Sequence, residues 1–197
     1  MKKVAVVLYD GFCMFEYSIA LETFAMSKEV KVDIYGEEKR AYRSEEGVLS
    51  VAEYSLEELQ VENYDGLLLT GFASENITII ENQRFLEIIR EFYEQKKVIG
   101  AISAAPVFLV KAGVLDETPF MCACPKEGLY DEGFTKEELQ YMIDWEEAWK
   151  QRDTLKFIRQ GCIVTAVAFG FREWAMELGK MLKIKIFPES FGLKELE

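Results

Sequence analysis

The chain contains no histidine. Imidazole titrates nearest neutral pH and is the usual partner of a serine or cysteine nucleophile. Its absence removes the commonest general base and the commonest nitrogen ligand for metals. Basic residues are also scarce: 23 Lys plus Arg stand against 35 Asp plus Glu, a net charge of −12. Such a surface repels phosphate backbones, so no nucleic-acid partner is expected. The 197 residues hold no repeat, low-complexity tract or linker, which fits one domain over 1–197. The opening apolar run ends at Tyr9-Asp10, too short for a secretory core, and no other run approaches a membrane span. A cytoplasmic protein with no membrane partner is expected, its four cysteines (Cys13, Cys122, Cys124, Cys162) reduced. No glycine-rich phosphate loop follows an early strand, since the first ends Tyr9-Asp-Gly-Phe with one glycine. No nucleotide or other cofactor is therefore indicated.

What is present is apolar mass with alternating periodicity. Half of the residues are apolar, enough for a substantial core. Val4–Leu8 is a β-branched run, the mark of a strand buried on both faces. A helix is read over 15–27, a second strand over 30–35, a hairpin or loop over 37–46 and a short strand over 48–51. Ser55-Leu-Glu-Glu carries a capping-box pattern. Asp65-Gly-Leu-Leu-Leu-Thr-Gly is a buried strand entering a glycine turn. Over 81–95 a helix sets Phe85, Ile88, Ile89 and Phe92 on one face. A strand at 98–102 leads into a short apolar helix at 104–111. Late strands are read at 153–159 and 162–165, then a helix at 169–182. Thr135-Lys-Glu-Glu opens a further helix whose Tyr141, Trp145 and Trp149 drift by about 40° per step and so share a face. That stretch, about 126–152, is a candidate lid or interface insertion. Strands alternating with helices imply an α/β fold, a flavodoxin-like three-layer sandwich with a mainly parallel sheet. Ligands in such folds bind at the carboxyl ends of the strands, here the turns after Leu8, Leu69 and Ile102.

At the last of these turns Gly100–Pro106 reads Gly-Ala-Ile-Ser-Ala-Ala-Pro. A side chain on a sharp strand-to-helix turn projects out of the sheet beside free N–H groups of the helix start. The turn needs small residues two before and two after its apex, and Ala101 and Ala105 flank Ser103 in that way. Ser103 is thus the candidate reactive or binding group, with the N–H groups of Ala104 and Ala105 as candidate oxyanion donors.

Five pieces in this order and spacing carry a resemblance: Val4–Gly11 with Phe15-Glu-Tyr-Ser-Ile-Ala-Leu-Glu-Thr-Phe24, then Tyr64–Gly71, Val98–Pro106, Ala112-Gly-Val-Leu-Asp116, and Gly161-Cys-Ile-Val-Thr-Ala166. The chain resembles the ThiJ/PfpI superfamily, the class I glutamine amidotransferase-like group that includes the parkinsonism-associated deglycase and several small bacterial hydrolases. The resemblance implies a cysteine at the elbow apex, where this chain has Ser103. It implies an acid on the first helix that hydrogen-bonds the apex, a position held by Glu16. It implies a histidine one strand later, where Met121-Cys-Ala-Cys-Pro125 places Ala123 or Cys124. It implies an oxyanion donor from a Pro-Gly-Gly turn, which here reads Thr70-Gly71-Phe72. A homodimer is implied as well. Thiazole-phosphate biosynthesis, a label some members carry, has no support in these residues.

A serine without an imidazole is a poor nucleophile, so the expected function is binding of a small polar or anionic metabolite without the family's cysteine chemistry. The binding set would be Ser103, Glu16, Gly71, Phe72, Ala104, Ala105 and Cys13. One alternative is a small-molecule hydrolase, lyase or amidotransferase-like enzyme in which Glu16 serves Ser103 as base. The other is a stress or redox protein using Cys13 or Cys124. Cys-x-Cys supplies only two ligands of the four that structural zinc needs, and no metal is expected.

Overall fold

In the computed structural model, residues 1–72, 78–115 and 117–194 are described. The elements run β1 (Lys2–Val7), α1 (Met14–Ser27), β2 (Val30–Gly36), β3 (Ala41–Arg43), β4 (Leu49–Val51), β5 (Tyr54–Ser55), β6 (Gly66–Leu69) and α2 (Gln83–Glu94). They continue through β7 (Val98–Ile102), α3 (Pro106–Ala112), β8 (Phe120–Met121), α4 (Lys126–Asp131), β9 (Met142–Ile143), α5 (Trp145–Lys150), β10 (Ile158–Gln160), β11 (Ile163–Ala166) and α6 (Phe171–Leu182). Asp116, the last residue of the 112–116 motif, lies outside the described residues.

The main sheet has seven strands in the order β10-β11-β7-β6-β1-β2-β5. All neighbours pair parallel except β10, which returns antiparallel beside β11. Helices α1 and α6 cover one face and α2 and α3 the other. This is the expected flavodoxin-like sandwich. The strands read as apolar runs because both faces are covered, and every residue of β6 is buried. Helix α2 buries the four residues that periodicity assigned to its inner face, and its N-cap Asn82 accepts the Phe85 N–H at 3.1 Å. Trp174 of α6 is fully buried against β7, and its indole N–H donates to the Val164 carbonyl at 3.2 Å. Among the described residues no helix is long and apolar enough to cross a membrane.

Chain order makes the switch point. After β1 the chain builds β2 on one side, then crosses to β6 on the other, so the loops after β1 and β6 diverge around a crevice. Backbone and side chains clamp these loops together. Cys13 N–H donates to the Gly71 carbonyl at 2.8 Å, Phe12 bridges Phe72, the Thr70 hydroxyl donates to the Cys13 carbonyl, and the Tyr9 hydroxyl donates to the Thr70 carbonyl.

Two expectations need correction. The late strand read from residue 153 begins only at Ile158, because Gln151–Leu155 winds into turns closed by Thr154 and Leu155 N–H groups on the Gln151 carbonyl. The helix read from Thr135 through Trp149 does not form. Met142–Ile143 instead pairs with Phe120–Met121 as a small parallel sheet, and a new helix starts at Asp144, whose carboxylate accepts the Glu147 N–H at 3.0 Å. Tyr141 therefore leaves the stripe, while Trp145 and Trp149 stack at 5.7 Å and both meet Phe169. Strand pairing and a strong cap overrode helical periodicity.

Truncating Trp174 to Ala is expected to lower unfolding stability by about 3–5 kcal/mol, through the lost apolar burial and the cavity left against Gly100. Urea denaturation followed by circular dichroism checks this; a loss below about 1 kcal/mol would show that α6 repacks over the sheet.

Candidate active site

Three elements deliver the site. Strand β7 ends in Ser103, whose φ is 61°, the left-handed region rarely adopted by residues other than glycine. Such a conformation costs about 1–2 kcal/mol and is held here by surrounding bonds. Ser103 N–H donates to the Ala166 carbonyl at 2.8 Å, and its own carbonyl accepts the Ala123 N–H at 2.7 Å. The half-exposed side chain is thereby aimed at the crevice between the β1 and β6 loops.

Helix α1 brings Glu16 to the same point. Its carboxylate is buried, and Oε2 accepts the Gly71 N–H at 3.0 Å. Glycine is required at 71 because of this close approach. A Cβ there would lie 2.2 Å from Glu16 Oε2, 2.6 Å from Ser103 Cβ and 2.8 Å from Ser103 Oγ. Burial pushes the Glu16 carboxyl up to about 7, with a further push from Glu45. The adjacent Ser103 hydroxyl and the Gly71 N–H hold it back. A carboxyl so poised exists in both protonation states near neutral pH, as donor in one and acceptor in the other.

The remaining residues sort by geometry. Phe72 forms a wall, its ring stacked on Phe108 at 5.0 Å and edge-on to Tyr9 at 6.0 Å. Ala104 is buried beside Ser103. The Ala105 N–H does not face the crevice: it donates to the Ile102 carbonyl at 3.1 Å. With the Gly71 N–H spent on Glu16, two of the three expected oxyanion donors are occupied, because a tight turn and a buried carboxylate each claim an N–H group. Cys13 is buried at the N-terminus of α1. Burial, then the Glu16 and Glu45 charges, drive its thiol far above the usual range, so it is not a ready thiolate.

Two acids that the sequence reading passed over shape this corner. Cys13 offers no side-chain cap to α1. Glu46 reaches in from the β3–β4 hairpin instead, accepting the Met14 N–H at 3.1 Å and the Phe15 N–H at 2.9 Å. Partial burial opposes its ionisation, yet those backbone donors hold it down to about 2. The one signal in the sequence was a helix start lacking a Ser, Thr, Asp or Asn cap. The Cys13 thiol and the Glu45 and Glu46 carboxylates have ligand atoms within 4.8 Å of one another, the one such set of three among the described residues. Glu46 is already committed to the helix, and two donors do not hold a structural metal. Cys162 precedes β11 and so lies at the opposite end of the sheet from Cys13. The four cysteines do not converge.

A doubly wound sandwich with a strained elbow, a buried helix acid and a glycine between them defines a class of α/β proteins with a site at the switch point. Residues 2–181 match the model of the DJ-1/PfpI family, and the chain belongs to that family. Protein/nucleic acid deglycase 2 of Escherichia coli is 28% identical over 115 residues, 58% of this chain and 66% of that protein. The uncharacterized protein MJ0967 of Methanocaldococcus jannaschii is 27% identical over 89 residues, 45% of this chain and 43% of its own length. Each match thus spans less than two thirds of the relative. Among solved structures, the DJ-1 superfamily protein Atu0886 from Agrobacterium tumefaciens superposes with a TM-score of 0.75, covering 98% of this chain and 95% of that one at 17% identity.

Glu16 predicts a pH signature. Its folded value of about 7 lies above the unfolded 4.5, so the folded chain keeps a proton that the unfolded chain releases. This group's contribution to stability is greatest below pH 4.5, falls as pH rises to about 7, and amounts to about 3 kcal/mol. In Glu16→Gln that loss should vanish. The variant's stability relative to the parent should rise by up to about 3 kcal/mol between pH 5 and pH 8 in urea titrations. Parallel pH profiles would show that Glu16 is not buried as described.

Proposed function

We propose that this DJ-1/PfpI-family protein binds a small polar metabolite non-covalently at the Ser103 elbow, without the cysteine chemistry the family resemblance implies. One observation carries the reading: the Ser103 hydroxyl and the Glu16 carboxylate converge beside Gly71, 2.8 and 2.2 Å from where a residue-71 Cβ would stand, with no imidazole in the chain to relay a proton from the serine. A serine hydroxyl so placed can donate to, and accept from, a ligand carbonyl or hydroxyl. Protonated Glu16 adds a donor, whereas ionised Glu16 repels an anion. A carboxylate ligand is therefore held best when Glu16 carries its proton, and a neutral amide is far less sensitive to pH.

Calorimetric titration with acetate, glycolate and acetamide tests this. The two carboxylates should bind more tightly at pH 6 than at pH 8, acetamide about equally. Ser103→Ala should weaken binding by up to about tenfold, the loss of one hydrogen bond. Absence of binding by all three at both pH values would remove the proposal.

A second reading rests on the strained backbone at Ser103 and its contact with an acid poised at about 7, a pair able to act as nucleophile and base in a hydrolase, lyase or amide-processing enzyme. An active serine should react with a fluorophosphonate probe, and Ser103→Ala should abolish the label. That result would favour the enzyme over the binder. The proposed assembly is a homodimer, for which exposed Val48, Leu49 and Val51 on the β3–β4 hairpin offer an apolar patch.

A further inference from the structure

The segment after β8 carries a second set of reactive groups that the elbow does not use. Cys122 and Cys124 are two residues apart in a bend, so their Cα atoms are separated by at most about 7 Å, near the span a disulfide bridges. The bend is pinned on both sides. Met121 N–H donates to the Thr165 hydroxyl at 3.0 Å, Cys122 N–H donates to the Ile143 carbonyl at 3.0 Å, and Ala123 N–H donates to the Ser103 carbonyl at 2.7 Å. The two sulfurs differ in setting. Cys122 is fully buried, its thiol 4.0 Å from the Ala104 carbonyl, while Cys124 is half-buried and reachable from solvent. The neighbouring Cys122 thiol lowers the Cys124 thiol from its ordinary range, against the opposing effects of burial and Glu132. Full burial, and then the neighbouring Cys124, push Cys122 up. One sulfur is thus a reachable thiolate candidate and its sequence neighbour a fully buried thiol.

We propose that Cys124 and Cys122 form a peroxide-responsive dithiol: Cys124 is the sulfur that attacks and Cys122 the one that resolves. The Cys124 thiolate attacks one oxygen of hydrogen peroxide. The O–O bond breaks, hydroxide leaves and takes up a proton as water, and Cys124 becomes a sulfenic acid. The Cys122 sulfur then attacks the Cys124 sulfur. The S–O bond breaks, a second water leaves with the thiol proton, and a Cys122–Cys124 disulfide forms. Two thiols supply the two electrons that peroxide accepts, and a dithiol reductant returns them. Cys13 and Cys162 take no part: the first is held protonated by burial and two carboxylates, and the second lies at the opposite end of the sheet. The proposal is independent of whether the Ser103 elbow binds a ligand.

Mass spectrometry of the folded full chain after brief exposure to hydrogen peroxide tests it. Both cysteines fall on one tryptic peptide, residues 112–126. That peptide should lose about 2 Da, and dithiothreitol should restore it. Cys13 and Cys162 should remain alkylatable at times when the 112–126 peptide is oxidised, with Cys124 reacting at least about tenfold faster than either. In Cys122→Ser the reaction should stop at a sulfenic acid on Cys124 that dimedone traps; in Cys124→Ser the peptide should stay reduced. The wild-type measurement needs neither variant. Oxidation of Cys124 to sulfinic acid in the wild type with no loss of about 2 Da, or equal rates at all four thiols, would overturn the proposal.

Discussion

The structure around the elbow depends on one buried carboxyl group. Glu16 leaves the first turn of α1 and enters the crevice where the chain reverses its order of strand building, and there it accepts the Gly71 N–H and meets Ser103. Burying a carboxylate is costly unless donors surround it, so those partners and the near-neutral titration of Glu16 are aspects of one constraint. It explains why residue 71 lacks a side chain, since any Cβ would occupy the space where acid and serine meet. The loops after β1 and β6 that frame it are stapled to each other by four contacts.

The same constraint limits the chemistry. A donor committed to Glu16 is not available to a ligand oxyanion, and the Ala105 N–H is absorbed by the turn itself. The site is therefore less of an anion cradle than a strand–elbow–helix pattern implies, and more of a hydroxyl and carboxyl pair in a partly apolar wall formed by Phe72. The hairpin deepens the negative character of this corner. Glu46 closes the start of α1 and Glu45 raises both the Cys13 thiol and the Glu16 carboxyl. Charge at the rim and protonation at the centre thus oppose one another.

The elbow is not an isolated turn. Its carbonyl holds Ala123, and the residues on either side of Ala123 are the two cysteines. Thr165, buried in β11, orients the same segment through Met121. Two neighbouring strands of the main sheet, β11 and β7, and the small β8–β9 sheet therefore meet within a few residues of Ser103. The position where the resemblance implies a histidine is filled by a bend whose nearest side-chain chemistry is sulfur.

Much of this was written locally. The apolar β-branched runs at Val4–Val7 and Val98–Ile102 could be buried only as strands covered on both faces, and the Phe85, Ile88, Ile89 and Phe92 spacing could serve only a helix. Small residues around Ser103 marked a sharp elbow, because sterics at such a turn act over two or three residues. What tertiary structure alone decided are the contacts between distant segments: Glu46 over the start of α1, the Gly71 N–H turned to Glu16, and Met142–Ile143 taken into a strand that broke the expected aromatic helix. Those outcomes depend on which loop reaches which backbone donor in space. Residue order leaves that open, and burial settles it, because each N–H and carboxylate removed from water must find a partner wherever the fold supplies one.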